Sequence, residues 1–238
     1  MKSFIFATSY IDSSEAYEKR YLKWINYYKG LPFTEDKPLF LMDDGSPEEF
    51  ISDFPGKLIK EDEIDDNYKV PQGKDWLEDV NMFHFNERIG IEPRENNPHL
   101  GGSTLGWYRS FFNSVKIALK FKFDKIIHIE SDAYLISKKV CDFIDHLDSG
   151  WTTLYCPKYT FPETSIQIIC KDNFDKLEIL RKADINEFKE MQAEWALPIT
   201  QFTKSFVGDR YGESTELQLP SIDYYCQCNL NTNLKYKG

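Results

Sequence analysis

At 238 residues, with 29% charged and 16% aromatic side chains, the chain has the composition of a folded protein with a sizeable core and not of a disordered one. Its formal net charge of −10 speaks against nucleic-acid binding, which needs a basic face, but leaves room for a small phosphate-bearing ligand neutralised locally. Residues 1–10 are too short and too polar for the apolar region of a secretory signal, and no run reaches membrane-spanning length, so a cytoplasmic location is expected, with peripheral attachment the open route to a lipid surface.

The five cysteines (Cys141, Cys156, Cys170, Cys226, Cys228) are odd in number and lack CxxC spacing, so they read as reduced thiols in or near a core. In chain order, SFIFATSY (3–10) is an apolar strand ending in small hydroxyls. SEAYEKRYLKWINYYK (14–29) places Tyr17, Tyr21, Trp24, Ile25 and Tyr28 on one helical face, with Ser13 or Ser14 as its cap and Gly30 as its stop. PLFLM is a second strand, running into MDDGS; a short helix follows over PEEFISDF and a third strand over KLIK (57–60). The two adjacent aspartates admit two readings. Asp44 or Ser46 can N-cap the helix that starts at Pro47, or one aspartate can face a ligand from the strand's end. Alternation of strands and helices predicts a mostly parallel sheet flanked by helices, with ligands beyond the carboxyl ends of the strands. Thr8, Ser9, Tyr10, Asp43 and Asp44 all fall at such ends.

Residues 61–104 break the rhythm, with helical turns expected around Trp76 to Asn86 and a loop over NNPHLGGST. LGWYRSFFNSVKIALKFKF (105–123) returns to a helix with an apolar stripe from Tyr108 to Leu119 and a polar row of Arg109, Asn113, Lys116 and Lys120. Lys116 and Lys120 read as a solvated face, whereas Arg109 and Asn113 lie near the helix start. In DKIIHIESDAYLIS (124–137), Ile126, Ile127 and Ile129 make a buried strand. His128, Glu130 and Asp132 then fall two apart at its carboxyl end. Paired carboxylates there suit a hard divalent cation.

MDDGS followed by ESD, each ending a strand of an alternating fold, resembles glycosyltransferases of the GT-A fold, and MDDGS is similar to the VDDGS of the inverting family 2 enzymes. The resemblance covers roughly residues 1–140 and implies an α/β Rossmann-like fold of this kind as one domain over 1–238. Residues 1–140 would be the nucleotide-sugar-binding half and 141–238 the acceptor half. It implies a metal-assisted, hexosyltransferase-like enzyme of glycan biosynthesis, with a nucleotide-diphosphate sugar as donor and a glycan or lipid-linked hydroxyl as acceptor. Mn2+ or Mg2+ would be held at the DxD-like ESD by Asp132 and Glu130, the latter also meeting ribose or a metal-bound water. Thr8, Ser9, Tyr10, Asp43 and Asp44 would contact the nucleotide, with Asp43 accepting a base N–H. Arg109, which with Asn113 sits near the place of the family's Arg–Asn pair although the two are not adjacent, would face the diphosphate. The insertion over 61–104 lengthens the interval between the motifs, and no histidine follows His146 to serve as a late metal ligand.

Strands are expected over 151–161 and 165–170, then helices over DNFDKLEILRKA and INEFKEMQAEWALP. SFVGDRYGES (205–214) reads as a loop whose glycines flank Asp209 and Arg210, suiting a flap with Arg210 on the diphosphate or an ordinary salt-bridged turn. An inverting transfer needs a general base. Glu194, beside Trp195, leads the candidates, followed by Asp209, Glu163, Glu213 and Asp223.

Three other functions fit less of the sequence. A sugar-phosphate nucleotidyltransferase wants a glycine-rich basic loop after the first strand, and ATSYIDSSE has neither. An iron site using His128 belongs to antiparallel barrels, against the alternation seen here. A catalytically inactive sugar- or nucleotide-binding module would not need Glu130 and Asp132.

Overall fold

The computed structural model describes residues 1–64, 80–89, 104–157, 159–210, 221–227 and 234–238. Strands β1 (Ser3–Ser9), β2 (Leu39–Asp43), β3 (Lys57–Lys60), β4 (Val80–His84) and β5 (Lys125–Ile129) occupy the first half. Strands β6 (Tyr134–Leu135), β7 (Trp151–Cys156), β8 (Phe161–Cys170), β9 (Gln201–Thr203), β10 (Gly208–Arg210) and β11 (Tyr224–Cys226) follow. The fold is the expected mixed α/β class. An 8-stranded sheet has the order β3-β4-β2-β1-β5-β8-β7-β9, and β8 alone runs against the others. A 3-stranded sheet, β10-β11-β6, stands beside it.

Period-two alternation along β1 sorts the core into two layers. Ile5 and Ala7 join one apolar layer with Tyr21, Trp24 and Tyr28 of α1, the helix over residues 14–29. Phe4 and Phe6 join the other with Phe111, Phe112 and Val115 of α2 (Leu105–Phe121). Helix α1 begins where expected, with Ser13 Oγ accepting from Ala16 N at 3.1 Å, and ends at Gly30. Its middle, Tyr17–Leu22, is a π-helical turn, a rare insertion that tends to mark functional positions. Cys141, Cys156, Cys170 and Cys226 are buried, and burial pushes the Cys141 thiol up to about 12. Cys228 lies outside the described residues.

Several local expectations are corrected. Residues 80–84 form β4 rather than helical turns, because a strand buried on both faces carries no alternation, and Asn81 and His84 interrupt its apolar run. Residues 76–79, and NNPHLGGST up to Ser103, lie outside the described residues. The strand expected at 165–170 begins at Phe161, so the turn precedes Pro162 instead of containing it. The helix expected over INEFKEMQAEWALP is two short pieces, Ile185–Phe188 and Ala193–Ala196. Between them, the Met191 carbonyl accepts from Tyr108 Oη at 3.1 Å, a tertiary bond that replaces helical pairing. Gly208–Arg210 is a strand paired in parallel with β11, not a loop. Asp209 and Arg210 are buried there, so neither rides on a free flap; residues 211–214 of the expected loop lie outside the described residues.

The Asp-Asp turn has a specific job. Asp43 is fully buried and ties three strand ends together. Its Oδ1 accepts from Ser9 Oγ (3.1 Å) and Ser46 Oγ (2.5 Å). Its Oδ2 accepts from Ser46 N (2.9 Å) and lies 2.8 Å from His84 Nδ1. Gly45, at φ +75°, turns the chain against the backbone of Glu87 and Arg88, where a Cβ would collide. The helix after the turn, Glu48–Ile51, has Pro47 as its cap residue and no side-chain cap bond, so neither Asp44 nor Ser46 caps it. The expectation that Asp43 reads a base is therefore corrected: its oxygens are spent on Ser9, Ser46 and His84.

Asp43→Ala strips partners from the Ser46 amide and from His84. It should destabilise the fold by about 2–4 kcal/mol in chemical denaturation, the scale for orphaned buried polar groups. A loss under about 0.5 kcal/mol, typical of a neutral surface change, would contradict the clasp.

Candidate active site

The strand order reverses beside β1, with β2 on one side and β5 on the other. At such a switch point the diverging connections leave a crevice beyond the carboxyl ends. Two cavities open there. The larger, about 640 Å3, reaches Asp132, Glu194, Trp195 and Arg210. The smaller, about 190 Å3, reaches Thr8, Ser9, Tyr10, Asp44 and Ser110. Arg20, Trp107 and Glu130 line both.

Glu130 sits on the seam. Thr8 Oγ1 lies 3.0 and 2.9 Å from its two oxygens, His128 Nε2 lies 2.8 Å from Oε1, and the Trp107 indole N–H donates to Oε1 as well. Burial opposes ionisation of Glu130, but His128 and the hydrogen bonds outweigh it and hold the carboxyl below its usual range. His128 is fully buried among the rings of Phe6, Phe111 and Trp107. The strand ends at Ile129, so alternation stops before Asp132. A turn aims Asp132 at Arg20 instead, with Arg20 Nη2 at 3.2 Å from Oδ2 and Arg20 Nε donating to Ser131 Oγ at 2.6 Å. Burial raises the Asp132 pKa, with Arg20 pulling the other way.

Of the adjacent pair Asp43 and Asp44, it is Asp44 that lines a cavity. Arg109 Nη2 donates to its Oδ1. Arg109 also donates to the Glu87 carbonyl at 2.5 Å and packs 4.1 Å over the Phe85 ring. It therefore stands behind Asp44 and lines neither cavity, unlike the diphosphate ligand expected of it; Asn113 bonds back to the Arg109 carbonyl within α2. Gly106, in the first turn of α2, lets the Asp44 carboxylate come against the helix backbone, where a Cβ would overlap it. One turn on, the Ser110 hydroxyl is buried without a hydrogen-bond partner among the described residues, beside the smaller cavity. Tyr10 is covered by Arg88, whose guanidinium carbon is 3.5 Å from the ring centre.

In the larger cavity, Glu194 Oε1 accepts from Thr164 Oγ1 at 3.1 Å and lies 3.9 Å from Arg210 Nη2. Arg210 Nη1 is 3.3 Å from both oxygens of the buried Glu163, and its Nε donates to Gln227 at 3.2 Å. Glu163 is thus spent on Arg210, and Asp223 on Ser137 Oγ (2.6 Å) and Val207 N (2.8 Å). Asp209 lines neither cavity. Glu213 lies outside the described residues. Of the described carboxylates expected as general bases, Glu194 is the one the fold presents to the cleft.

A divalent cation fits this donor set poorly. Glu130 is already surrounded by donors, a guanidinium is held at Asp132, and among the described residues no group of three or more His, Cys, Asp or Glu side chains is gathered as a metal site. Sequence reading missed Arg20, Trp107 and Ser110. Arg20 was nevertheless visible, since it continues the spacing of Tyr17, Tyr21 and Trp24 along the apolar stripe of α1.

No family model and no curated protein matches the sequence. Among solved structures, the chain is similar to a glycosyltransferase involved in the glycosylation of the major capsid of PBCV-1, at 14% identity over 96% of this chain and 95% of that one, with a TM-score of 0.45. It is also similar to a cytidylyltransferase from Leptospira borgpetersenii serovar Hardjo-bovis (strain JB197), at 14% identity over 85% and 75% of the two chains, with a TM-score of 0.42. Both likenesses are loose.

Burial, opposed by Arg109, lifts the Asp44 pKa from 3.8 to about 6. The folded state then binds a proton more tightly than the unfolded chain does. Stability from this group is complete below the unfolded value and is lost as pH rises from about 4 through about 6. Asp44→Asn removes the titration, so its denaturation midpoint should fall less between pH 4 and pH 6 than that of the wild type. Parallel profiles would contradict the assignment.

Proposed function

We propose that the protein is a glycosyltransferase that moves a sugar from a nucleotide-diphosphate sugar to a hydroxyl acceptor. The observation that carries this reading is the pair of cavities sharing one wall at the switch point. One is small and carries a base-sized set of polar groups; the other is large and carries a carboxylate with an aromatic platform. On this reading residues 1–140 supply the nucleotide half and residues 141–238 most of the acceptor half.

In the smaller cavity, Asp44 accepts a base N–H, the Ser110 hydroxyl supplies a second bond, and Tyr10 borders the base. Glu130, oriented by Thr8, His128 and Trp107, retains acceptor capacity on Oε2 for a ribose hydroxyl. The diphosphate crosses the wall formed by Arg20 and Trp107, which places the sugar's anomeric carbon in the larger cavity. There Glu194, fixed by Thr164 and flanked by Arg210, takes the proton from the attacking hydroxyl while the carbon–oxygen bond to the diphosphate breaks. Trp195 is 78% exposed at this cavity and Met191 is 44% exposed beside it, an apolar shelf suited to the face of an acceptor sugar ring.

A panel of UDP-, GDP-, CMP- and dTDP-sugars, screened by thermal shift and then by nucleotide release, tests the reading, because a ligand of the native state must raise its melting temperature. Glu194→Gln should lower transfer by about 100-fold or more, the weight of a general base, with nucleotide affinity unchanged. Asp44→Ala should weaken nucleotide binding by about tenfold or more, the weight of a hydrogen bond to a charged group. Wild-type transfer in Glu194→Gln would remove it as the base. Turnover of a nucleoside triphosphate with a sugar phosphate, and none of a nucleotide sugar, would move the protein to the nucleotidyltransferases.

A further inference from the structure

Resting on the nucleotide-sugar reading of this cleft, we propose that the diphosphate is neutralised by the chain's own Arg20, so that nucleotide binding requires no divalent cation. Four observations converge on it.

Position comes first: Arg20 lines both cavities, on the wall that a ligand spanning them must cross. Orientation is fixed from both sides. Its Nε donates to the buried Ser131 Oγ at 2.6 Å, and its Nη2 meets Asp132 Oδ2 at 3.2 Å. A guanidinium has five N–H donors, and those two contacts leave donors to present to the cleft, where the side chain is 38% exposed. Backbone geometry gives the third observation. Arg20 sits within the π-helical turn Tyr17–Leu22, an irregularity inside a helix otherwise packed regularly on the sheet.

The fourth is competition for the carboxylates. Glu130 and Asp132 are the residues that would have to take a cation together. Glu130 already accepts from Thr8 and Trp107 and meets His128, while Asp132 is paired with Arg20. A dication between them would sit against the guanidinium and would compete with those contacts. Two positive groups held side by side in a partly buried cleft repel one another. Arg20 meets no such competition: it offers a planar, permanently charged fork, the geometry that phosphate oxygens take up as paired hydrogen bonds. Asp132 then serves as its tether.

Isothermal calorimetry with UDP, GDP, CDP and dTDP, each in EDTA and in Mn2+, tests the proposal on wild type, Arg20→Met and Arg20→Lys. For the nucleotide that binds, affinity in the two buffers should agree to within about twofold. Arg20→Met should lose about tenfold or more for the diphosphate, the weight of a charge-assisted bond, while the matching nucleoside binds as before. Arg20→Lys should recover part of that loss. If Arg20→Met fails to fold, the wild-type comparison with the Arg20→Lys measurement still decides. Binding in Mn2+ and none in EDTA overturns this proposal alone and returns the site to a metal. Unchanged diphosphate affinity in a folded Arg20→Met overturns it too. If no nucleoside diphosphate binds the wild type in either buffer, the nucleotide-sugar reading falls and takes this proposal with it.

Discussion

A charged carboxylate held at the seam of the sheet organises the cleft. Glu130 follows β5 at the point where the strand order reverses, and its contacts come from three directions: Thr8 of β1, His128 of β5 and Trp107 of α2. Burying a carboxylate is costly unless its oxygens are hydrogen-bonded, so this set of partners is a condition for the site to exist. It also fixes Trp107, which stacks on Phe111 with ring centres 4.9 Å apart and stands between the two cavities. The partition of the cleft into a small and a large compartment thus follows from satisfying one ionised group. His128 bears the penalty on the far side: its Nδ1 has no hydrogen-bond partner among the described residues, within a ring of aromatic side chains.

Cations in the cleft follow the same logic in an acidic protein of net charge −10. Arg20 is tethered by Asp132, and Arg210 by Glu163 with Glu194 nearby. Each guanidinium is held by carboxylates before any ligand arrives, so little reorganisation is left for the moment of binding. Arg109 shows the contrasting outcome. It carries the same charge, but Asp44, the Glu87 carbonyl and the Phe85 ring hold it behind the site, where it positions Asp44.

The sheet's first three strands were legible as short apolar runs bounded by turn residues, and its flanking helices by a period of about 3.6 along Tyr17–Tyr28 and Tyr108–Ala118; Leu119, expected on the same stripe, is exposed instead. β4 was not legible, since Asn81 and His84 interrupt its apolar run. Of the site, the sequence disclosed which strand ends matter, and Thr8, Ser9, Tyr10, Asp44, Glu130 and Asp132 do meet there. It could not say which of two adjacent aspartates turns inward. That choice is made by His84, forty-one residues further on, and by the left-handed turn at Gly45. Ser110 was hidden in a helix whose apolar stripe dominates its pattern. Gly106 and Ser110, spaced by four, are the trace of the close approach between α2 and the Asp44 turn.

The central claim is that one nucleotide sugar lies across both compartments, base toward Asp44 and sugar toward Glu194. A crystal structure with the tightest-binding nucleoside diphosphate tests it most directly. The account predicts the base against Asp44 and Ser110 and the phosphates at Arg20, pointing into the larger cavity. A base stacked on Trp195, or phosphates bound away from Arg20 with the smaller cavity left to solvent, would contradict it.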